Sequence, residues 1–184
     1  QQRKHDLCLY LVKRLMKERL DNGGYITQAL LDIVPAKEEM DRASTNQLWL
    51  AFRALVNMRE PWRADADLLA AQDELLQGMI EEAGITTIED ATVSPLDPRL
   101  RLWKGDITTL ATDAIVNAAN SGMTGCWAPL HYCIDNAIHT FAGIQLRYEC
   151  ARIMIKQGHE EPTGQAKVTP AYNLPAKHVI HTVG

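Results

Sequence analysis

The stretch from Leu102 to Gly143 constrains the fold more than any other part of this 184-residue chain. Leu100-Arg101-Leu102-Trp103 alternates as a strand, and Gly105-Asp106-Ile107-Thr108 is the turn after it. Ala114-Ile115-Val116 is short and fully apolar, as expected for a strand in the middle of a covered sheet. Asn117 to Gly125 reads as a loop. From Ile134 to Gln157 apolar residues recur at helical spacing, which predicts one long helix ended by Gly158. Ala166–Thr169 and His178–Val183 supply further strands. A strand, a polar turn, a second strand, a Gly-containing loop and a helix start form a common frame for a nucleotide site. Strands alternating with helical patterns argue for an α/β fold.

The part before this stretch is of a different kind. His5–Leu20 is an amphipathic helix with Leu7, Leu11 and Leu15 on one face, stopped by Asn22-Gly23-Gly24. Cys8 on that helix reads as a small core residue. Ser44-Thr45-Asn46-Gln47 offers a capping-box start for a second helix carrying Leu48, Phe52, Leu55 and Val56. Pro61 interrupts, Asp65 or Asp67 could cap a third helix, and Gly84 closes it. The expected organisation is a helical N-terminal extension over residues 1–84, a linker or edge segment over 85–98, and an α/β domain over 99–184. The extension reads as an appendage packed on the rest; a docking surface for a substrate protein is the alternative.

Bulk properties exclude some functions. The net charge of −4 gives no basis for capturing nucleic acid or anionic lipid, and no apolar run is long enough to span a bilayer. The start at Gln1 is polar, shows no signal peptide and lacks Met, so residues are expected to precede it. Cys8, Cys126, Cys133 and Cys150 do not suggest a disulfide framework, which fits a reducing, cytoplasmic setting.

The chemistry concentrates between residues 106 and 139. Cys126, His131 and Cys133 form a C-x4-H-x-C pattern. Two thiolates and an imidazole suit Zn(II) better than harder ions, and three ligands with an open fourth position are the pattern of a catalytic rather than a structural zinc. The alternative is two buried cysteines beside a surface histidine. Asp135 and His139 lie four apart, on one face near a helix start. Asp135 could orient water or hold a sugar hydroxyl, or simply favour the helix dipole. Asp106 is either a turn former or an acceptor for an adenine amino group. Asn117 and Asn120 bracket two alanines, leaving backbone room and two amides for sugar hydroxyls.

Taken together, Gly105-Asp106-Ile107-Thr108, Ala114-Ile115-Val116-Asn117-Ala118-Ala119-Asn120, Ile134-Asp135-Asn136-Ala137-Ile138-His139 and Ala142-Gly143 resemble the macrodomain family in content and order. The resemblance covers roughly Leu100 to Gly184. Where many macrodomains have a glycine run before the helix, this chain has His131-Tyr132-Cys133 with Cys126 upstream, which resembles the zinc-containing microbial branch. The resemblance implies a three-layer α/β/α fold with a mixed sheet that binds ADP-ribose. It implies that Asp106 reads the adenine amino group and Ile107 adds a backbone contact. It places Asn120, with Asn117 nearby, at the distal ribose, lined by Cys133, Ile134, Asp135 and Asn136. It implies one Zn2+ per chain on Cys126, His131 and Cys133, with Asp135 and His139 as the catalytic pair. The implied activity is removal of mono-ADP-ribose from modified proteins, with a sirtuin-type ADP-ribosyltransferase as an associated partner; a non-catalytic reader with a structural zinc is the other reading. The family continues past the position of Gly184 with more strands, helices and a second Gly-rich loop around the diphosphate, so this chain is expected to be the N-terminal portion of such a domain.

Overall fold

The computed structural model describes residues 1–184. The first three long helices are α1 (Gln2–Asp21), α3 (Thr45–Asn57) and α4 (Ala66–Ala83), with a single turn, α2 (Gln28–Leu31), between the first two. Each starts or stops for a local reason. At α3, Ser44 Oγ accepts from Gln47 N at 3.2 Å while Gln47 Oε1 accepts from Ser44 N at 2.9 Å, the expected capping box. At α4 the capping residue is Asp65, whose carboxylate accepts from Leu68 N at 2.9 Å. α1 turns Leu7, Cys8, Leu11, Val12 and Leu15 onto α3 and α4, around Leu48, Phe52, Leu68 and Leu76. Each of these side chains contributes about 1.5–3 kcal/mol by leaving water. Arg59, deeply buried, donates to both carboxylate oxygens of Glu18 at 2.8 Å, tying the end of α3 to α1.

The following segment is knit in by short strands. β1 (Thr86–Thr87) runs parallel to β4 (Leu110–Ala111), and β2 (Thr92–Val93) antiparallel to β3 (Arg101–Leu102). The strand expected over 100–103 is thus only two residues, and both are exposed. The main sheet has the order β5 (Ala114–Ala118), β7 (His178–Thr182), β6 (Ala166–Pro170); β5 and β7 are parallel, β7 and β6 antiparallel. The fold is α/β with a mixed sheet and a helical N-terminal region. Within this chain β7, not β5, is the central strand. Ile115, Asn117, Val179, His181 and Thr169 face the helices, whereas Val116 on the opposite face is 55% exposed.

The helix expected from Ile134 to Gln157 is two helices, α5 (Ile134–Ala142) and α6 (Ile144–Gln157). Gly143 separates them at φ +106°, where a Cβ would sit 2.5 Å from Gln145 Oε1 and 2.7 Å from Gln72 Nε2. The groups freed by the break are satisfied from outside: Ile144 N donates to Gln72 Oε1 of α4 at 2.9 Å, and Ala142 O accepts from Asn173 N at 3.1 Å and Nδ2 at 2.9 Å. α4 also supplies Ile80 to the core under the sheet, with Ile115, Ile138, Leu146, Cys150 and Val179.

Candidate functional site

The site is built on the loop from Ala119 to Cys133 and the start of α5. The loop leaves β5 through Ala119, whose N–H donates to Thr182 O at 2.9 Å. Asn120 then shapes it: Oδ1 accepts from Gly122 N at 3.0 Å and Nδ2 donates to Gly125 O at 3.1 Å. Gly125 has φ +87°, and a Cβ there would lie 2.8 Å from His139 Cγ, so only glycine lets the loop lie against that ring.

The loop brings Cys126, His131 and Cys133 together. Their ligand atoms lie within 4.8 Å of one another, with Cys126 Sγ 3.5 Å from His131 Nδ1. His131 is exposed and both thiols are half-buried, so the group opens to solvent. The geometry and the soft donor set fit a divalent metal held by three protein ligands. Cys133 also caps α5, its Sγ accepting from Asn136 N at 3.3 Å. Asn136 is fully buried; it donates to Ala128 O at 3.1 Å and accepts from Thr140 Oγ1 at 3.3 Å. Ile134 is exposed beside it.

In the first turn of the helix, a buried polar network begins. Asp135, 5% exposed, accepts from Asn117 Nδ2 at 2.8 Å; the same nitrogen lies 3.1 Å from His181 Nδ1, and His181 Nε2 lies 3.0 Å from Thr169 Oγ1. Burial raises the Asp135 carboxyl, partly offset by the Asn117 hydrogen bond and the charge of Arg147. His139 Nε2 is 3.5 Å from Asp135 Oδ1, but burial, Arg147 and His181 together hold its imidazole well below the usual range. The contact is therefore between a carboxyl group and a neutral ring, not an ion pair. Asn117 is part of this network rather than an exposed sugar-binding amide.

His139, Cys150 and His181 also converge within 4.8 Å. Their surroundings favour core packing over metal binding: Thr169 occupies His181 Nε2, and burial pushes the Cys150 thiol up to about 12. Burial lowers His181 from 6.5 to about 4. Below pH 6.5 the unfolded chain takes up a proton that the folded chain refuses. Stability is therefore full above about pH 6.5 and is lost as the pH falls toward 4, by roughly 3 kcal/mol from this group. His139 acts in the same direction; Asp135 opposes both, because its raised carboxyl regains stability on protonation. The midpoint of urea unfolding is expected to fall between pH 7 and 4, and a flat midpoint over that window would contradict neutral burial of these rings.

Asp106 and Ile107 lie apart from these groups, at the start of a 3-10 turn, Ile107–Thr109, that packs against α5. Asp106 Oδ1 accepts from Thr108 N at 2.9 Å and Oγ1 at 2.7 Å, leaving Oδ2 directed to no protein donor. No hydrogen bond joins this turn to the Asp135 network or to the three metal-ligand candidates.

Arg147, Arg53 and Asn57 were not among the residues expected at the site. Arg147 is 6% exposed and donates to Thr124 O and Cys126 O in the loop; Arg53 and Asn57, on α3, reach His131 O and Leu130 N. The sequence signal for Arg147 is a charge on the apolar stripe of α6, between Ile144 and Ala151. His181 was legible as the inward position between Val179 and Val183.

The sequence is similar to those of known proteins. A family profile described as Macro domain matches residues 116–184. A protein named protein-ADP-ribose hydrolase from Treponema medium is 58% identical over 139 residues, covering 73% of this chain and 52% of its own length. One of the same name from Staphylococcus aureus (strain MRSA252) is 42% identical over 175 residues, covering 95% of this chain and 60% of its own. The chain thus spans between half and three-fifths of these curated relatives. The crystal structure of the Trypanosoma brucei macrodomain in complex with ADP is 30% identical, covers 73% of this chain and 60% of its own, and has a TM-score of 0.49. Residues 116–184, which hold Asn117, the loop of Cys126, His131 and Cys133, α5 and His181, are the part of the chain that matches the Macro domain family.

Proposed function

We propose that this chain carries the catalytic part of a zinc-dependent hydrolase that removes ADP-ribose from modified proteins. The observation that carries the reading is the start of α5. Cys133 is at once a metal-ligand candidate and the helix cap, so one soft donor of the trio and the buried carboxylate of Asp135 are held two residues apart at one helix start. The relatives named protein-ADP-ribose hydrolase support the same activity.

In this reading Asp106 Oδ2 accepts from the adenine amino group and the Ile107 backbone adds a contact. Asn120 and the segment Cys133–Asn136 line the distal ribose, with Asn117 holding Asp135 from behind. Cys126, His131 and Cys133 would hold a zinc ion, which would supply Lewis-acid polarisation. Asp135 positions the attacking water and takes its proton, and burial makes it the stronger base. His139, neutral and 3.5 Å away, orients the carboxyl group. The products are ADP-ribose and the unmodified side chain. The division into an extension (1–84), a connecting segment (85–98) and a macrodomain portion (99–184) belongs to the same proposal. So do a cytoplasmic setting, where thiols stay reduced, and a sirtuin-type transferase as the source of the mark, which rests on family resemblance. No helix is long and apolar enough to cross a membrane.

The test is release of ADP-ribose from a mono-ADP-ribosylated protein, with metal content measured on the same preparation. Release is expected, with about one zinc per chain, and is expected to stop on treatment with a chelator and return with zinc. Binding of ADP-ribose without release would make the chain a reader. Release that ignores the chelator would leave the metal a shaping role only.

A further inference from the structure

The loop that carries the metal-ligand candidates is held in place largely by residues outside it. Arg147, near the start of α6, is buried without a hydrogen bond to any carboxylate. Its guanidinium spans two structures instead. Nη1 donates to the carbonyls of Val56 (3.1 Å), Asn57 (2.8 Å) and Arg59 (2.9 Å), at and just past the C-terminal end of α3. Nε donates to Thr124 O at 2.7 Å and Nη2 to Cys126 O at 3.2 Å, in the loop. The ring of Trp127 lies 3.9 Å from the guanidinium carbon. Orphan carbonyls and the negative end of a helix dipole thus take the place of a counter-ion. The charge stays on at neutral pH, burial lowering the group only to about 10.

Two residues of α3 hold the other half of the loop. Asn57 Oδ1 accepts from Leu130 N at 3.0 Å while its Nδ2 donates to Thr140 Oγ1 at 3.0 Å. Arg53 Nη2 donates to His131 O at 3.0 Å and to Asn136 Oδ1 at 3.1 Å. The backbone of two ligand candidates, Cys126 and His131, is therefore fixed by Arg147 and by the helical extension. These bonds are directional and come from a planar fork, which a lysine cannot reproduce.

We infer that Arg147, together with Arg53 and Asn57, is a positioning residue for the metal-ligand loop, so that the N-terminal helical extension is a working part of the metal site rather than an appendage. The inference rests on the metal reading of Cys126, His131 and Cys133. It concerns how firmly and in what geometry the metal is held, not whether ADP-ribose is bound.

The full chain is loaded with zinc, and release of the metal to a colorimetric chelator is timed in wild type, Arg147→Lys and Arg53→Gln, without substrate. Release is expected to be at least about tenfold faster in Arg147→Lys and about threefold faster in Arg53→Gln. Cobalt(II)-substituted protein is expected to show shifted thiolate-to-metal absorption bands in both. Affinity for ADP-ribose in calorimetry is expected to stay within about threefold of wild type, so that any loss of turnover falls on kcat rather than KM. Arg53 is only half-buried, so if Arg147→Lys fails to fold, Arg53→Gln decides the matter. Folded variants with wild-type release rates and wild-type cobalt spectra would overturn the inference while leaving the proposed hydrolase untouched. A wild-type chain that takes up no zinc would overturn both, before any variant is made.

Discussion

Asp135→Asn is expected to lower release of ADP-ribose from a modified protein by about a thousandfold, within the range assigned to a lost general base. The substitution is close to isosteric. Its remaining carbonyl oxygen can still accept from Asn117 Nδ2, the bond that now measures 2.8 Å, so the network and the start of α5 should persist. What disappears is the ability to take a proton from water. Burial raises the carboxyl group that is removed, so the wild-type residue is a better base than an exposed aspartate. ADP-ribose binding, measured by calorimetry, should remain within about tenfold, or 1.4 kcal/mol. A variant that turns over at the wild-type rate would remove Asp135 from the chemistry and leave the metal loop to account for it alone. The pH profile gives a second readout. In wild type, turnover should rise as Asp135 loses its proton, at a pH above that of an ordinary aspartate, and the variant should lack that limb.

Cys126→Ala is expected to cost at least about a hundredfold in turnover, in line with loss of a Lewis acid that stabilises charge by several kcal/mol. Cys126 is the cleaner thiol to remove. Cys133 accepts from Asn136 N and so supports the helix start, whereas Cys126 Sγ caps no helix and lies among the other two donors, 3.5 Å from His131 Nδ1. The variant should stay folded, lose its zinc by elemental analysis, and still bind ADP-ribose within about tenfold. Interactions made only in the transition state lower kcat and leave ground-state affinity alone, which is the pattern expected here. Should turnover survive the loss of metal, the trio shapes the loop and Asp135 carries the reaction. Should binding collapse as well, the loop is a wall of the ribose pocket.

Local signals in the sequence were reliable where the physics is local. The Ser44–Gln47 capping box, Asp65 as one of two cap candidates, the amphipathic α1, and the strands opening at Ala114 and His178 all depend on residues a few positions apart and were readable, although Asn117 and Ala118, read as loop, belong to β5. The C-x4-H-x-C spacing pointed to a cluster that does converge. What escaped depends on partners far away in the chain. The break at Gly143 is stabilised by Gln72 and Asn173, which no window around residue 143 contains. Arg147 was hidden for the same reason. On one unbroken helix it would lie about 120° around the axis from Asp135 and face elsewhere; with the break, Arg147 reaches the loop at Thr124 O and Cys126 O while Asp135 meets Asn117. Asn117 was placed with the sugar hydroxyls because an amide between small residues looks like a ligand-facing loop, yet it sits at an inward position of β5 and spends its donor on Asp135.

The bond from Ile144 N to Gln72 has a consequence for how this protein divides. The segment matched by the family profile runs over residues 116–184. Within this chain its energetics reach beyond that segment. Cutting before it would strip Ile144 of its acceptor, leave the Arg147 cation facing no carbonyls from α3, and take Ile80 out of the core beneath the sheet. Each of those losses exposes or orphans a buried group, and together they fall on the junction that aims α5 and α6. The segment that matches the profile and the unit expected to open cooperatively thus have different boundaries, and in slow amide exchange the last turn of α3 and the first turn of α6 are expected to be protected together.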